Sequence, residues 1–250
     1  MIRQRSSFLK FWHIYLVFCI VLFLNCALWT YSRNIQQGWI NVPPVPSQMG
    51  ALGITMGDKQ LAYRYFGLMI QNLGDTGGQV RNLSEYNYED LGKWFFFLDS
   101  FDPKSDFIPL IAGYYFGTSK NKDDLGHVID FLEVIGSRTS GEKWRWLAHA
   151  VFLARYQKAD LDRALELANK LSVMKLEDDE LPIWAEQMPA LIMMQRGEKQ
   201  AALQFMMSIL ASEGENLDPT EVMFMRTHIC ERILDKEAAE NFPLCQDNEY

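Results

Sequence analysis

The chain has 250 residues, 48% of them hydrophobic, which is enough to bury a sizeable core within one domain. Residues 1–33 carry Arg3, Arg5, Lys10 and Arg33 and no acid. The remainder holds 20 of the 24 basic side chains against all 32 acidic ones, a formal balance of −12 that argues against nucleic acid as a partner. The four cysteines, Cys19, Cys26, Cys230 and Cys245, form no CxxC or CxxCH, so zinc ribbons, thioredoxin chemistry and c-type haem attachment lack support.

Residues 1–10 read as a short cytoplasmic stub. Residues 11–31 follow without a charged side chain, with His13, Asn25 and Thr30 as their main polar members. As a helix this stretch crosses about 30 Å of hydrocarbon. Trp12, Tyr15, Trp29 and Tyr31 sit near its ends, where amphipathic rings favour the headgroup zone. Three basic residues precede the stretch and only Arg33 follows closely, which predicts a cytoplasmic N-terminus and an extracytoplasmic body, as for a bacterial inner membrane and periplasm. A cleaved signal peptide would have a shorter apolar region and a small-x-small site, which the residues around Cys26 do not supply. Cys19 and Cys26 share one face of this anchor, toward lipid or a partner helix. Residues 32–57 contain Pro43, Pro44 and Pro46 and no charge beyond Arg33, and read as an extended spacer with Trp39 and Ile40 at the interface.

Residues 58–238 have helical periodicity. Asp58 caps a helix over 58–73, and the glycine-rich segment 74–85 is a loop suited to binding a partner. Asp102-Pro103 and Asp218-Pro219 each have the cap-then-proline form of a helix start. Ala159-Asp160-Leu161 and Gly197-Glu198-Lys199 read as tight turns, and residues 219–234 as a terminal helix that seals the array. Four segments align as second helices of pairs: 91–101, 125–135, 161–171 and 199–209. Their fourth positions, Trp94, Val128, Ala164 and Ala202, advance by 34, 36 and 38 residues. Periods of this size mark stacked helix pairs, none of which can bury its apolar face alone.

The preceding helices share a second frame. It reads Tyr63-x-x-Phe66-Gly67-x-x-Ile70, then Pro109-x-x-Ala112-Gly113-x-x-Phe116, then Trp144-x-x-Leu147-Ala148-x-x-Val151, and more loosely Trp184-x-x-Gln187-Met188-x-x-Leu191. This frame resembles the first helix of a tetratricopeptide repeat, in which the small residue lets the paired helix approach closely. The resemblance implies an all-α fold: a solenoid of about four helix pairs and a capping helix, preceded by one transmembrane helix. It also implies a groove lined from the first helices. Leu61, Arg64, Leu68 and Gln71 would lie there, followed by Phe107, Leu110, Tyr114 and Gly117, then Glu142, Arg145, His149 and Phe152. Arg64 and Arg145 would meet a partner's carboxylate, or else pair with this chain's own acids.

Residues 239–250 form a tail. In an oxidising compartment Cys230 and Cys245 are a candidate disulfide that would draw Phe242 and Leu244 over the open end. Asp75-Thr76-Gly77 lacks the second triplet that aspartic-protease chemistry requires. No histidine has an HExxH-type neighbour, no serine lies in GxSxG, and 177–180 lacks calcium-ligand spacing. No catalytic, cofactor or metal site is therefore expected. Of the aromatic run from Trp94 to Phe97, at least one of Phe95, Phe96 and Phe97 must turn outward, since consecutive rings cannot share one helix face. The expected function is a membrane-anchored, non-catalytic scaffold or assembly factor for other envelope proteins. An envelope enzyme or glycan-handling module with an acidic and aromatic cleft is the alternative.

Overall fold

The computed structural model describes residues 3–32, 42–73, 82–177, 180–213 and 217–246. Among these the protein is helical, without a strand, and falls into two compact units, Met1–Ile40 and Asn41–Tyr250.

In the first unit, α1 runs from Arg3 to Ser32. Its Trp12–Ser32 segment has a mean hydropathy of 2.1 and no buried residue, and is long and apolar enough to cross a membrane. The Thr30 hydroxyl donates to the carbonyls of Cys26 and Ala27, and that of Ser32 to Trp29. These polar groups are thus satisfied inside the helix, as an apolar medium demands. Cys19 and Cys26 are free thiols on its surface.

The second unit begins earlier than the composition suggests. Residues 42–57, expected as part of a spacer, pack on the body. Val42 is buried, Val45 and Leu52 rest against the main core, and the Trp94 indole N–H donates to the Pro43 carbonyl at 2.6 Å. A short helix, α2 (Gln48–Ile54), follows, its first turn capped by the Ser47 hydroxyl. Prolines supply the rigid extended lead that carries Val42 to the core, so they serve docking here and not separation. Trp39 and Ile40 lie outside the described residues.

Helix α3 (Lys59–Gln71) is capped by Asp58, which accepts from the N–H groups of Gln60 and Leu61. After a short 3-10 turn over Leu83–Glu85 comes α4 (Tyr88–Asp99), whose Leu91, Trp94, Phe95 and Leu98 are buried while Phe96 is the ring turned outward. The glycine-rich segment 74–81, with its Asp75-Thr76-Gly77, lies outside the described residues.

The next helix does not start at Asp102-Pro103. It starts at Phe107 as α5 (Phe107–Leu110), and continues as a π-helical turn over Ile111–Tyr115 and a 3-10 turn over Phe116–Thr118. The delay has a physical cause, because the connecting turn is already committed to tertiary bonds. Asp102 accepts from the Gln60 amide at 3.1 Å, Arg138 donates to the Pro103 carbonyl, and Lys143 donates to those of Lys104 and Ser105.

The chain continues through α6 (Leu125–Gly136), α7 (Trp144–Phe152) with a π-helical extension over Leu153–Lys158, and α8 (Leu161–Ser172). Ala159 takes a left-handed conformation (φ 59°) and Asp160 caps α8 through the Arg163 N–H, which closes this turn in three residues. Helices α9 (Ile183–Gln195) and α10 (Lys199–Glu213) are joined through Gly197 at φ 84°. Then come α11 (Pro219–His228), capped by Asp218 and extended by a π-helical turn over Ile229–Ile233, and the short α12 (Lys236–Asn241) and α13 (Pro243–Gln246).

From α6 to α10 each helix packs chiefly on its neighbours in the chain. Two apolar cores result. The larger runs from Val42 to Ile192; the second gathers Ala202, Met206, Ile209, Met225, Ile229 and Ile233. Helix α9 serves both, giving Ala185 and Ile192 to the first and Ala190 to the second. Cys230 and Cys245 are joined as a disulfide with Cα atoms 5.8 Å apart, and Phe242 and Leu244 lie against the second core. The tail is therefore short helix tied to the body.

Candidate functional site

The first helices meet through their small residues. A Cβ on Gly67 of α3 would lie 3.1 Å from Phe107 Cε1 of α5, and one on Gly113 would lie 2.6 Å from His149 Cδ2 of α7. Gly113 also faces α6, where its Cβ would lie 3.4 Å from Leu132 Cδ1, so the small residue admits both helices. Side by side, α5 and α7 build a strip of rings. Tyr114 stacks on His149 (centroids 4.3 Å, 28°), and His149 stacks on Phe152 (5.7 Å, 13°). Trp146 meets Tyr114 edge-on at 6.3 Å, and Phe152 meets Tyr156 at 5.1 Å. Tyr114 is 62% exposed, and Leu110, Phe152 and Tyr156 beside it are also exposed.

The π-helical turns help to place these rings. Each inserts a residue into the helical winding and shifts the residues beyond it to a new face. One such turn carries Tyr114 itself and another carries Tyr156.

Polar groups anchor the strip from beneath. Asp106 accepts from Lys143 Nζ and from Trp146 Nε1, both at 2.7 Å. Burial raises the Asp106 pKa, but these two donors outweigh it and hold the group below its usual value. Lys143 is buried, and its ammonium is saturated by Asp106 and the Lys104 and Ser105 carbonyls. His149 is half-buried, its Nε2 has no hydrogen-bond partner, and burial pushes its pKa down.

Of the groove residues expected from sequence, Tyr114, His149 and Phe152 come together. Arg145 is exposed next to them, 2.5 Å from Glu142 and with its guanidinium 5.6 Å from the Trp144 ring. Arg64, Leu68 and Gln71 are exposed on α3, which reaches α5 through Gly67 and Phe107; Arg64 has no ion pair among the described residues. Phe107 and Gly117 do not line a groove. Phe107 fills the space beside Gly67, and Gly117 is buried with Leu153 within 3.1 Å of where its Cβ would lie.

Sequence reasoning missed Trp146 and Tyr156. With His149 and Phe152 they run at steps of three, three and four residues, a helical stripe in plain view. It also missed an open concavity of about 510 Å³ between α7 and α9, lined by Glu142, Trp144, Arg145, Glu180, Pro182 and Trp184. Trp184 is 44% exposed, with its ring centroid 5.6 Å from that of Trp144.

No group of three or more His, Cys, Asp or Glu side chains suited to a metal ion occurs among the described residues. Compared with protein-family models, curated proteins and solved structures, the chain matches none.

Proposed function

We propose that the protein is a membrane-anchored, non-catalytic scaffold whose body is a tetratricopeptide-like solenoid on the extracytoplasmic side, and that it holds other envelope proteins on the ring strip of α5 and α7. The single observation that carries this reading is the exposed, preordered row Tyr114–His149–Phe152–Tyr156, stacked before any partner arrives. Covering what remains exposed of these rings favours a complex, with little side-chain entropy left to lose.

The solenoid reading draws support from a regularity in the polar ties between units. Gln60–Asp102, Asp99–Arg138, Asp106–Lys143, Glu133–Lys170, Thr139–Glu177 and Arg155–Gln195 join residues 37 to 42 apart, and Glu133–Arg163, Asp130–Arg163 and Asp162–Arg196 join residues 30 to 34 apart, a spread around one repeat period. The outward orientation rests on the basic residues Arg3, Arg5 and Lys10, which precede the apolar Trp12–Ser32 segment of α1.

A glycan-handling reading is favoured by the Trp144–Trp184 concavity, which both rings line together with Glu142 and Glu180. Those carboxylates are exposed and Glu142 is engaged by Arg145, which suits sugar or peptide binding better than acid–base chemistry.

A photoreactive residue at Tyr114 in native membranes tests the proposal. A discrete protein adduct that disappears with Phe152→Ser, while the melting temperature holds, supports the scaffold. Absence of any protein adduct, together with saccharide binding that Trp184→Ala abolishes, overturns it in favour of glycan handling.

A further inference from the structure

The stretch after the anchor has an unusual surface. Residues 34–57 carry no charged side chain in a chain that is 22% charged, and no other run outside the N-terminal helix is as long. Its described part is tied to the body, as Val42, Ala51 and Thr55 are buried. The Thr55 hydroxyl donates to the carbonyls of Ala51 and Asp58, and the Gly57 N–H donates to that of Leu52. Its other face is apolar and bare. Met56 is 98% exposed, Met49 85% and Ile54 63%, and the first two are the most exposed large hydrophobic side chains among the described residues.

Met49 and Ile54 belong to α2 and Met56 to the turn behind it, and all three side chains are exposed. Met56 also holds a left-handed backbone (φ 54°), a conformation that disfavours any residue with a Cβ. That backbone closes α2, because the Gly57 N–H reaches back to the Leu52 carbonyl as at a helix C-cap, and it leaves the Met56 side chain outside.

We propose that Met49, Ile54 and Met56 form a lipid-contacting face that rests in the headgroup region of the bilayer. The inference rests on the reading of Trp12–Ser32 as a membrane span. Three features commit the face to lipid over a protein partner. The covalent path from Ser32 to Val42 is ten peptide steps, at most about 35 Å, so the face is held near the membrane at high effective concentration. A patch of three side chains, too small for a stable protein interface, suffices under such tethering. The body is strongly acidic and is repelled by anionic lipid, so the surface it can lay on a bilayer is the one without charge.

The test uses the full-length chain in lipid vesicles of a zwitterionic phospholipid, with headgroup- and chain-borne quenchers. An environment-sensitive fluorescent amino acid is placed at position 53, where a Cβ meets nothing within 4 Å. Matching probes go at Val173, exposed on the body, and at Phe23 in the span. The expected result is strong headgroup quenching at 53, chain quenching at 23 and little of either at 173. With Met49→Glu and Ile54→Glu together, quenching at 53 falls several-fold while helical content is unchanged. Quenching at 53 no greater than at 173, or equal in the double variant, overturns the inference even when position 23 is quenched. An unquenched probe at 23 overturns the span and the inference with it.

Discussion

A Cβ placed on Gly136 would lie 2.1 Å from the backbone nitrogen of Leu147. No side-chain rotation relieves that contact, since the opposing atoms are main chain at the crossing of α6 and α7. Gly136→Ala is expected to destabilise the body by about 3 kcal/mol or more, as overpacking against backbone forces the two helices apart. Denaturant unfolding measures it, and a loss under about 1 kcal/mol would show that the crossing is loose.

Gln187 is 1% exposed on α9, and neither of its amide atoms has a hydrogen-bond partner in the protein. It stands where the first-helix frame elsewhere has Phe66, Ala112 and Leu147. Replacing it with Met keeps the volume and removes the orphaned donor and acceptor, so the variant should gain about 1–3 kcal/mol. A lower melting temperature in Gln187→Met would reveal a polar partner for this amide.

The stability of the strip should fall on mild acidification. Burial lowers the His149 pKa in the fold, so the unfolded chain binds the proton more readily than the folded one. Its contribution is complete above the unfolded value of about 6.5 and is lost as pH falls below it. Wild type and His149→Phe should therefore diverge in melting temperature between pH 7.5 and pH 5, with the variant less sensitive. Parallel curves across that window would count against a neutral, desolvated imidazole.

The disulfide between Cys230 and Cys245 closes a loop with a sequence separation of 15 residues. Cys245→Ser should cost about 3 kcal/mol in the chain-entropy description, confined to the second core. Peptide mapping without reductant of protein from native membranes checks the bond. Two freely alkylated cysteines would sink both the bridge and the oxidising compartment.

Local signals were readable because their chemistry is local. Asp58, Asp160 and Asp218 cap the helices they precede, and Gly197 supplies the turn that its position suggests. Asp102 carries the same signal yet caps nothing, because Gln60 and the Arg138–Lys143 anchors take up its turn first. Residues 42–57 lack periodicity, and their attachment depends on Trp94, about fifty residues away. The strip was half legible. Tyr114, His149 and Phe152 followed from the repeat frame, while Trp146 and Tyr156 depend on stacking between α5 and α7 and on where the helical winding slips.

The reach of the contacts has a consequence for how the chain is made. Among the described residues, the farthest hydrogen bond between side chain and main chain joins Trp94 to Pro43, 51 positions apart in a chain of 250. A polypeptide in which each helix from α6 to α10 packs chiefly on its neighbours in the chain can consolidate in the order of synthesis. Over that run each emerging helix finds its neighbour in the chain already made. The Cys230–Cys245 bond, whose formation passes two electrons from the thiol pair to an external oxidant, can close only after position 245 has been synthesised.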